Sequence, residues 1–328
     1  MTKSTGSSAG TRVAGEAVPP LIPEHRLLRL IGEGASGRVW LARNALGTYR
    51  AVKVVQREAF EDEQPFLREL NGIRQFEPVS RLHDGLVDVL QVGASEAAGY
   101  YYCVMELADD VSSGQTIVPE RYVPRTLAYD LSQRRRLPIG ECVRNGAAIA
   151  SALGFLHRHR LIHRDIKPSN IIFVNGFPKL ADIGLVTAAT GARSYIGTDG
   201  FIPPEGAGTP QADIYSLGKI LYQMSTGKDR HEYPELPADL GPSLEDWDLI
   251  RFNKIVIRAC RTQPVRRFRS AEDLLTALLS FQFATSQLHH EQRLRSWSRL
   301  VGLFGLLVGL GFLTFCILRL IHYLSEGQ

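Results

Sequence analysis

The stretch Ile31-Gly32-Glu33-Gly34-Ala35-Ser36-Gly37 carries three glycines at GxGxxG spacing. Where a side chain is absent, backbone N–H groups can close on a phosphate. Alone the spacing is weak, because several phosphate-binding folds use it. Downstream, Lys53 interrupts the apolar run Ala51-Val52-Lys53-Val54-Val55. A cation in such a run either snorkels its amine to water or aims it at phosphate oxygens. Glu69 follows in Pro65 to Ile73, where Phe66, Leu70 and Ile73 keep helical spacing and Pro65 suits a first turn. Its carboxylate is placed to pair with Lys53.

The elements around these residues narrow the chemistry. In a dinucleotide-binding fold the third glycine opens a helix, yet Arg38-Val39-Trp40-Leu41 alternates with β-branched and aromatic residues, which predicts a strand. A P-loop is excluded as well, because no Lys-Ser or Lys-Thr follows Gly37. What remains is a strand, a glycine turn and a returning strand, with Lys53 on the strand after it.

The 328 residues are 44 % hydrophobic and 22 % charged, with 30 Gly and 17 Pro, values that exclude disorder, collagen and fibre for the chain as a whole. The length suits one two-lobed unit with appended segments. A net charge of +4 does not mark a nucleic-acid binder, and the run Arg134, Arg135, Arg136 reads as a solvated helix face. Cys103, Cys142, Cys260 and Cys316 form no CxxC pair, so neither zinc nor a disulfide framework is indicated, and a reducing compartment fits.

Residues 1 to about 20 are rich in Ser, Thr, Gly and Ala, with Val13 and Val18 and a closing Pro19-Pro20, the composition of a disordered tail without a signal peptide's apolar core. Near the other end, Leu300 to Leu318 is an uncharged run of 19 residues. As a helix it would be roughly 28 Å long, close to a hydrocarbon core of about 30 Å. Arg293, Arg295 and Arg299 before it place the preceding domain in the cytoplasm by the positive-inside rule. Gly305 and Gly309 form a GxxxG pair that would let two such helices pack closely, giving a homodimer.

The decisive stretch is His163-Arg164-Asp165-Ile166-Lys167-Pro168-Ser169-Asn170, followed by Asp182-Ile183-Gly184, by Gly197 to Glu205 reading GTDGFIPPE, and by Asp213 to Gly218 reading DIYSLG. With the glycine loop, Lys53, Glu69 and Pro264 to Phe268, the chain resembles the protein kinases over about Leu27 to Leu279, specifically the bacterial serine/threonine kinases of eukaryotic type. The resemblance implies an α+β, bilobal fold, with a small β-rich lobe over about 23–107 and a larger helical lobe over about 108–283. Around this domain the expected segments are a tail over 1–22, a juxtamembrane linker over 284–299, a single transmembrane helix over 300–320 and a short extracytoplasmic tail over 321–328.

The same resemblance implies ATP and Mg²⁺, or Mn²⁺, as cofactors and Ser/Thr side chains of proteins as acceptors. It assigns Asp165 to the acceptor's proton, Lys167 to the transferring phosphate, and Asn170 and Asp182 to the metal. ATP would be held by Ile31, Gly32, Glu33, Gly34, Ala35, Ser36, Gly37, Val39, Ala51, Lys53 and Glu69, with the backbone of Glu106 and Leu107 meeting adenine and Met105 as gatekeeper. Thr187, Thr190, Ser194 and Tyr195 are candidate phosphosites able to engage Arg164, Thr190 and Ser194 foremost, and Thr198 is a further candidate. Thr198, a further hydroxyl of that segment, is expected to meet Asp165 and Lys167. His163 and Asp213 are expected to brace the catalytic loop. Glu205 and Arg267 are expected as a buried ion pair, whose rupture would cost about 3 to 5 kcal/mol.

Three departures stand out: DIG replaces the usual DFG, PPE at Pro203 to Glu205 replaces the usual APE, and Asp109 to Pro124 lengthens the hinge with no role legible in its residues. A pseudokinase scaffold and a small-molecule kinase of aminoglycoside or choline type are the alternatives. Joint presence of Lys53, Asp165, Asn170 and Asp182 opposes the first. Lys167 and the GTDGFIPPE loop oppose the second.

Overall fold

In the computed structural model the residues described are 19–34, 37–182, 187–188 (backbone only), 197–289, 307–311, 314, 317 and 319. They fall into two compact units, residues 1–126 with 172–187, and 127–171 with 188–328.

The first unit is built on an antiparallel sheet in the order β1-β2-β3-β5-β4, where β1 is His25–Gly34, β2 Gly37–Asn44, β3 Tyr49–Gln56, β4 Val89–Ser95 and β5 Tyr100–Met105. The strand, glycine turn and returning strand read from the sequence are β1 and β2. Alternation sorts the side chains by face. Ala42, Val52, Val54, Tyr102 and Val104 form one apolar cluster, with Trp40 and Leu27 packed against it. Lys53, opposite Val39 on β2 and Cys103 on β5, lies on the other face.

Helix α1, Glu63–Ser80, is capped by Asp62, whose carboxylate accepts the Gln64 N–H at 3.3 Å. It buries Phe66, Glu69, Leu70, Ile73 and Phe76, the spacing of one helical face. The expected 1–22 tail gives up its last residues. Ile22 is 2 % exposed within the sheet's apolar cluster, and the Tyr100 hydroxyl donates to the Leu21 carbonyl at 2.7 Å. A branched apolar side chain next to an open sheet face is buried whatever precedes it.

The first unit also reaches beyond the expected small-lobe limit at 107. The segment after β5 is stitched to the hairpin of β7, Ile171–Val174, and β8, Phe177–Leu180: Asp109 donates its N–H to the Phe173 carbonyl at 2.7 Å, and its carboxylate accepts the N–H groups of Asn175 and Gly176 at 2.9 and 2.8 Å.

The second unit is helical, with α2 at Leu127–Gln133, α3 at Ile139–Arg158, the short strand β6 at Leu161–Ile162, α4 at Pro210–Thr226, α5 at Leu244–Ala259 and α6 over 271–289. Helix α4 starts at the Thr209 cap with Pro210 in its first turn and ends on Gly227, left-handed at φ +69°. A Cβ at Gly218 would lie 2.7 Å from Ala259 and Cys260, so this glycine lets α4 and α5 approach. Cys103, Cys142 and Cys260 are each at most 3 % exposed. Burial is the largest influence on the Cys103 and Cys260 thiols and pushes both up to about 12.

Helix α6 runs six residues into the expected 284–299 linker. Its described part docks on α5: Phe281 packs edge-on to Phe252 at 5.6 Å, and His289 Nε2 lies 2.9 Å from Asp248. Among the described residues no helix is long and apolar enough to cross a membrane. The expected span over 300–320 lies mostly outside them. Those within it, 307–311, 314, 317 and 319, are helical.

Candidate active site

In the first unit the glycine turn is held by a backbone contact only glycine permits. Gly37 has φ +155°, and a Cβ there would stand 2.5 Å from the Val54 carbonyl oxygen. Ile31, Gly32, Glu33 and Gly34 lie at the end of β1, with Gly32 opposite Val39 on β2, and Arg38 pairs with Glu33 across the turn at 2.8 Å. Ala35 and Ser36, at the tip, lie outside the described residues.

Below them Lys53 is 6 % exposed, and its Nζ donates to Asp182 Oδ1 at 2.5 Å. Burial opposes the lysine's charge, but Asp182 and then Glu69 outweigh it and hold its pKa above the ordinary value. Glu69 on α1 accepts the Tyr101 hydroxyl at 2.9 Å, a contact with no signal in the sequence. Burial, reinforced by Glu69, pushes that phenol well above its usual range. Asp182 has φ +56°, a region few non-glycine residues adopt, and such backbone is retained where the surroundings over-determine it.

The hinge continues this face. Ala51 and Met105 are paired across β3 and β5, each 8 % exposed. Glu106 donates its N–H to the Asp88 carbonyl at 3.1 Å, and its carboxylate accepts the Lys179 ammonium at 2.6 Å and the Asp88 N–H at 2.8 Å. Its side chain is thus committed internally. Leu107 is 8 % exposed, and no hydrogen bond among the described residues engages its backbone. A buried amide left this way is suited to a heterocycle's ring edge.

The second unit holds a separate polar network. Asp165 Oδ1 accepts the Thr198 hydroxyl at 2.8 Å, Asp165 Oδ2 lies 2.7 Å from Lys167 Nζ, and Lys167 donates to the Thr198 oxygen at 3.0 Å. Asn170 donates its amide to Asp165 Oδ2 at 3.0 Å and to the Asp165 carbonyl at 2.8 Å, and its own Oδ1 accepts the Ser169 hydroxyl at 3.5 Å. A carboxylate gathered by a hydroxyl, an ammonium and an amide can take or orient an alcohol's proton.

Asp213, 1 % exposed on α4, braces this loop by accepting the N–H groups of His163 and Arg164 at 2.9 Å each. His157, unmarked in the sequence, sits 2.9 Å from the same carboxylate. Arg267 is bidentate with Glu205, at 2.5 and 2.9 Å, and also donates to the carbonyls of Arg261, Gln211 and Thr262. Thr187 lies in a short strand with Ala188, while Ile183, Gly184, Thr190, Ser194 and Tyr195 fall outside the described residues.

Residues 25–280 match the family model described as a protein kinase domain. The chain belongs to that family. This kinase domain is 28 % identical over 287 residues to the serine/threonine-protein kinase PrkC of Bacillus subtilis, covering 81 % of this chain and 40 % of that protein. It is 31 % identical over 284 residues to the kinase PknA of Corynebacterium glutamicum, covering 78 % and 55 %. Against PknA of Mycobacterium tuberculosis it is 30 % identical over 275 residues, covering 75 % and 58 %. The chain thus spans about two fifths to three fifths of the length of these curated relatives. The β-sheet lobe and the helical region are those of the kinase fold.

Proposed function

We propose that this chain is an ATP- and Mg²⁺-dependent serine/threonine protein kinase. The observation that carries the reading is the Asp165–Lys167–Asn170–Thr198 network, in which a hydroxyl, an ammonium and an amide gather on one carboxylate. Phosphoryl transfer is mostly positioning and charge neutralisation, so each group has a defined task. Lys53 holds the α- and β-phosphates, steadied by the charge of Glu69. The N–H groups of the glycine turn cover the phosphates, while Ile31, Val39, Ala51 and the Glu106–Leu107 backbone receive adenine. Asp165 orients the acceptor hydroxyl and takes its proton. Lys167 neutralises the phosphate in transit.

Asp182 and Asn170 offer the oxygen donors that a hard cation prefers, so Mg²⁺, with Mn²⁺ as substitute, would be held there and would offset phosphate charge. Among the described residues no three His, Cys, Asp or Glu side chains form a metal site of their own. That donor set suits a cation bound together with nucleotide phosphates.

Activation by autophosphorylation on Thr187, Thr190 or Ser194 belongs to the same reading. So does a single-pass anchor over 300–320 with the kinase domain cytoplasmic, supported by Leu307, Val308, Leu310 and Ile317, exposed apolar side chains on a helical segment. Gly305 and Gly309 would serve a homodimer of such spans.

The test is incubation of the full chain in detergent with ATP and Mg²⁺, beside Asp165→Asn, with phosphosites mapped by mass spectrometry. Phosphate on Ser or Thr in the native chain alone is the expected result. Nucleotide binding with no phosphate on the protein or on casein would replace the reading with that of a scaffold.

A further inference from the structure

The turn that carries Thr198 is clamped on both sides. Gly197, at φ +137°, lies close against the catalytic loop: a Cβ there would stand 2.9 Å from the Arg164 carbonyl oxygen, an approach that only glycine permits. The Phe201 N–H closes the turn on the Thr198 carbonyl at 3.2 Å. The other end rests on Arg230, a residue far along the chain that no catalytic motif contains. Its Nε donates to the Asp199 carbonyl at 2.8 Å, its guanidinium lies 5.1 Å from the centre of the Phe201 ring, and its stem fills the space a Cβ would need at Gly200, 2.7 Å away at φ +80°.

Arg230 is itself held rigidly. It opens a one-turn 3-10 helix, Arg230–Glu232, closed by a capping box: Asp229 accepts the His231 N–H at 2.9 Å, and Glu232 accepts the Asp229 N–H at 2.7 Å. Lys219 of α4, 5 % exposed, donates to the Arg230 carbonyl at 2.5 Å and lies 4.6 Å from the centre of the Tyr233 ring. A buried ammonium is costly unless it is engaged, so spending one on a single backbone carbonyl fixes that carbonyl's place.

From this we infer that Arg230 is a positioning residue for the protein acceptor: it holds the 198–201 turn so that the Thr198 hydroxyl stays on Asp165 and the acceptor's chain finds a formed ledge. The inference rests on the kinase reading and deepens it. It assigns Arg230 to acceptor affinity and not to ATP. Its contacts are to the acceptor turn, and Lys53, Glu69 and the hinge have no part in them.

The experiment uses the full chain with casein as acceptor, varying casein and ATP separately for wild type, Arg230→Met and Arg230→Lys. Arg230→Met is expected to lower kcat/KM for casein at least tenfold, chiefly through KM, with KM for ATP within twofold of wild type. Arg230→Lys, which keeps a donor for the Asp199 carbonyl, recovers at least half of the loss on a logarithmic scale. Hydrogen exchange supplies a second readout, with faster exchange at 198–201 in Arg230→Met and unchanged exchange in α3 and α4. An unchanged casein KM, or casein and ATP parameters falling together with a lowered melting temperature, overturns the assignment. A wild-type chain that phosphorylates nothing overturns the kinase reading and this assignment with it, whereas an active wild type with an indifferent Arg230→Met overturns the assignment alone.

Discussion

The hinge insert and the catalytic loop are both organised on buried aspartates, and the donors around them differ in kind. Asp110 in the insert accepts the backbone N–H groups of Ser112, Ser113 and Val123 at 2.8–2.9 Å and the Ser113 hydroxyl at 2.9 Å. Its neighbour Asp109 accepts the N–H groups of Asn175 and Gly176 and the Gln115 amide. Asp165 gathers its partners from the side chains of Thr198, Lys167 and Asn170. Backbone donors cannot leave without unfolding the loop, whereas side-chain donors can rotate away as a substrate arrives. The first arrangement fixes a chain and the second keeps a base available.

That contrast can be broken from either end. The largest expected effect is on turnover: Asp165→Asn should reduce phosphotransfer by about a thousandfold, the scale of a lost general base, while differential scanning fluorimetry finds the melting temperature within about 2 °C. Equal losses of stability and turnover would erase the distinction.

Asp110→Ala should do the reverse, leaving three part-buried N–H groups without their acceptor. We expect a loss of about 2 kcal/mol, or about 4–8 °C in melting temperature, with kcat retained within a few-fold. An Asp110→Ala chain as stable as wild type would show that the insert folds without its carboxylate.

The smallest effect sharpens the comparison through pH. Burial raises the Asp110 pKa, but the hydrogen bonds from Val123, Ser112 and Ser113 outweigh it and bring the value down to about 2. That lies below an unfolded value of about 3.9, so the carboxylate's stabilisation is full above that pH and is lost as pH falls towards 2. The gap in melting temperature between wild type and Asp110→Asn should stay constant from pH 7 to 5 and close below pH 4. A gap that persisted at pH 2.5 would assign the stability to packing alone.

Much of this was legible in the residues because the signals are local. Alternation after Gly37 gave the returning strand, the 3–4 spacing of Phe66, Leu70 and Ile73 gave α1, and ordered motifs gave the Thr198–Asp165–Lys167 contact. The insert was not legible, because Asp110 reaches Val123 thirteen residues away through a loop with no period. Arg230 was hidden for the same reason, lying 31 residues from the carbonyl it holds. The helix through 284–289 and the burial of Ile22 were missed because packing of Phe281 on Phe252 and of Ile22 in the sheet's apolar cluster supports them, and neither leaves a capping or composition signal.

The buried cysteines have a practical consequence for anyone handling the protein. A thiol with its pKa near 12 carries almost no thiolate at neutral pH, and thiolate is the form that peroxide and alkylating reagents attack. Cys103 and Cys260, 1 % and 3 % exposed, are moreover closed to such reagents by burial while the fold is intact. A maleimide reacting at either position reports that its unit has opened.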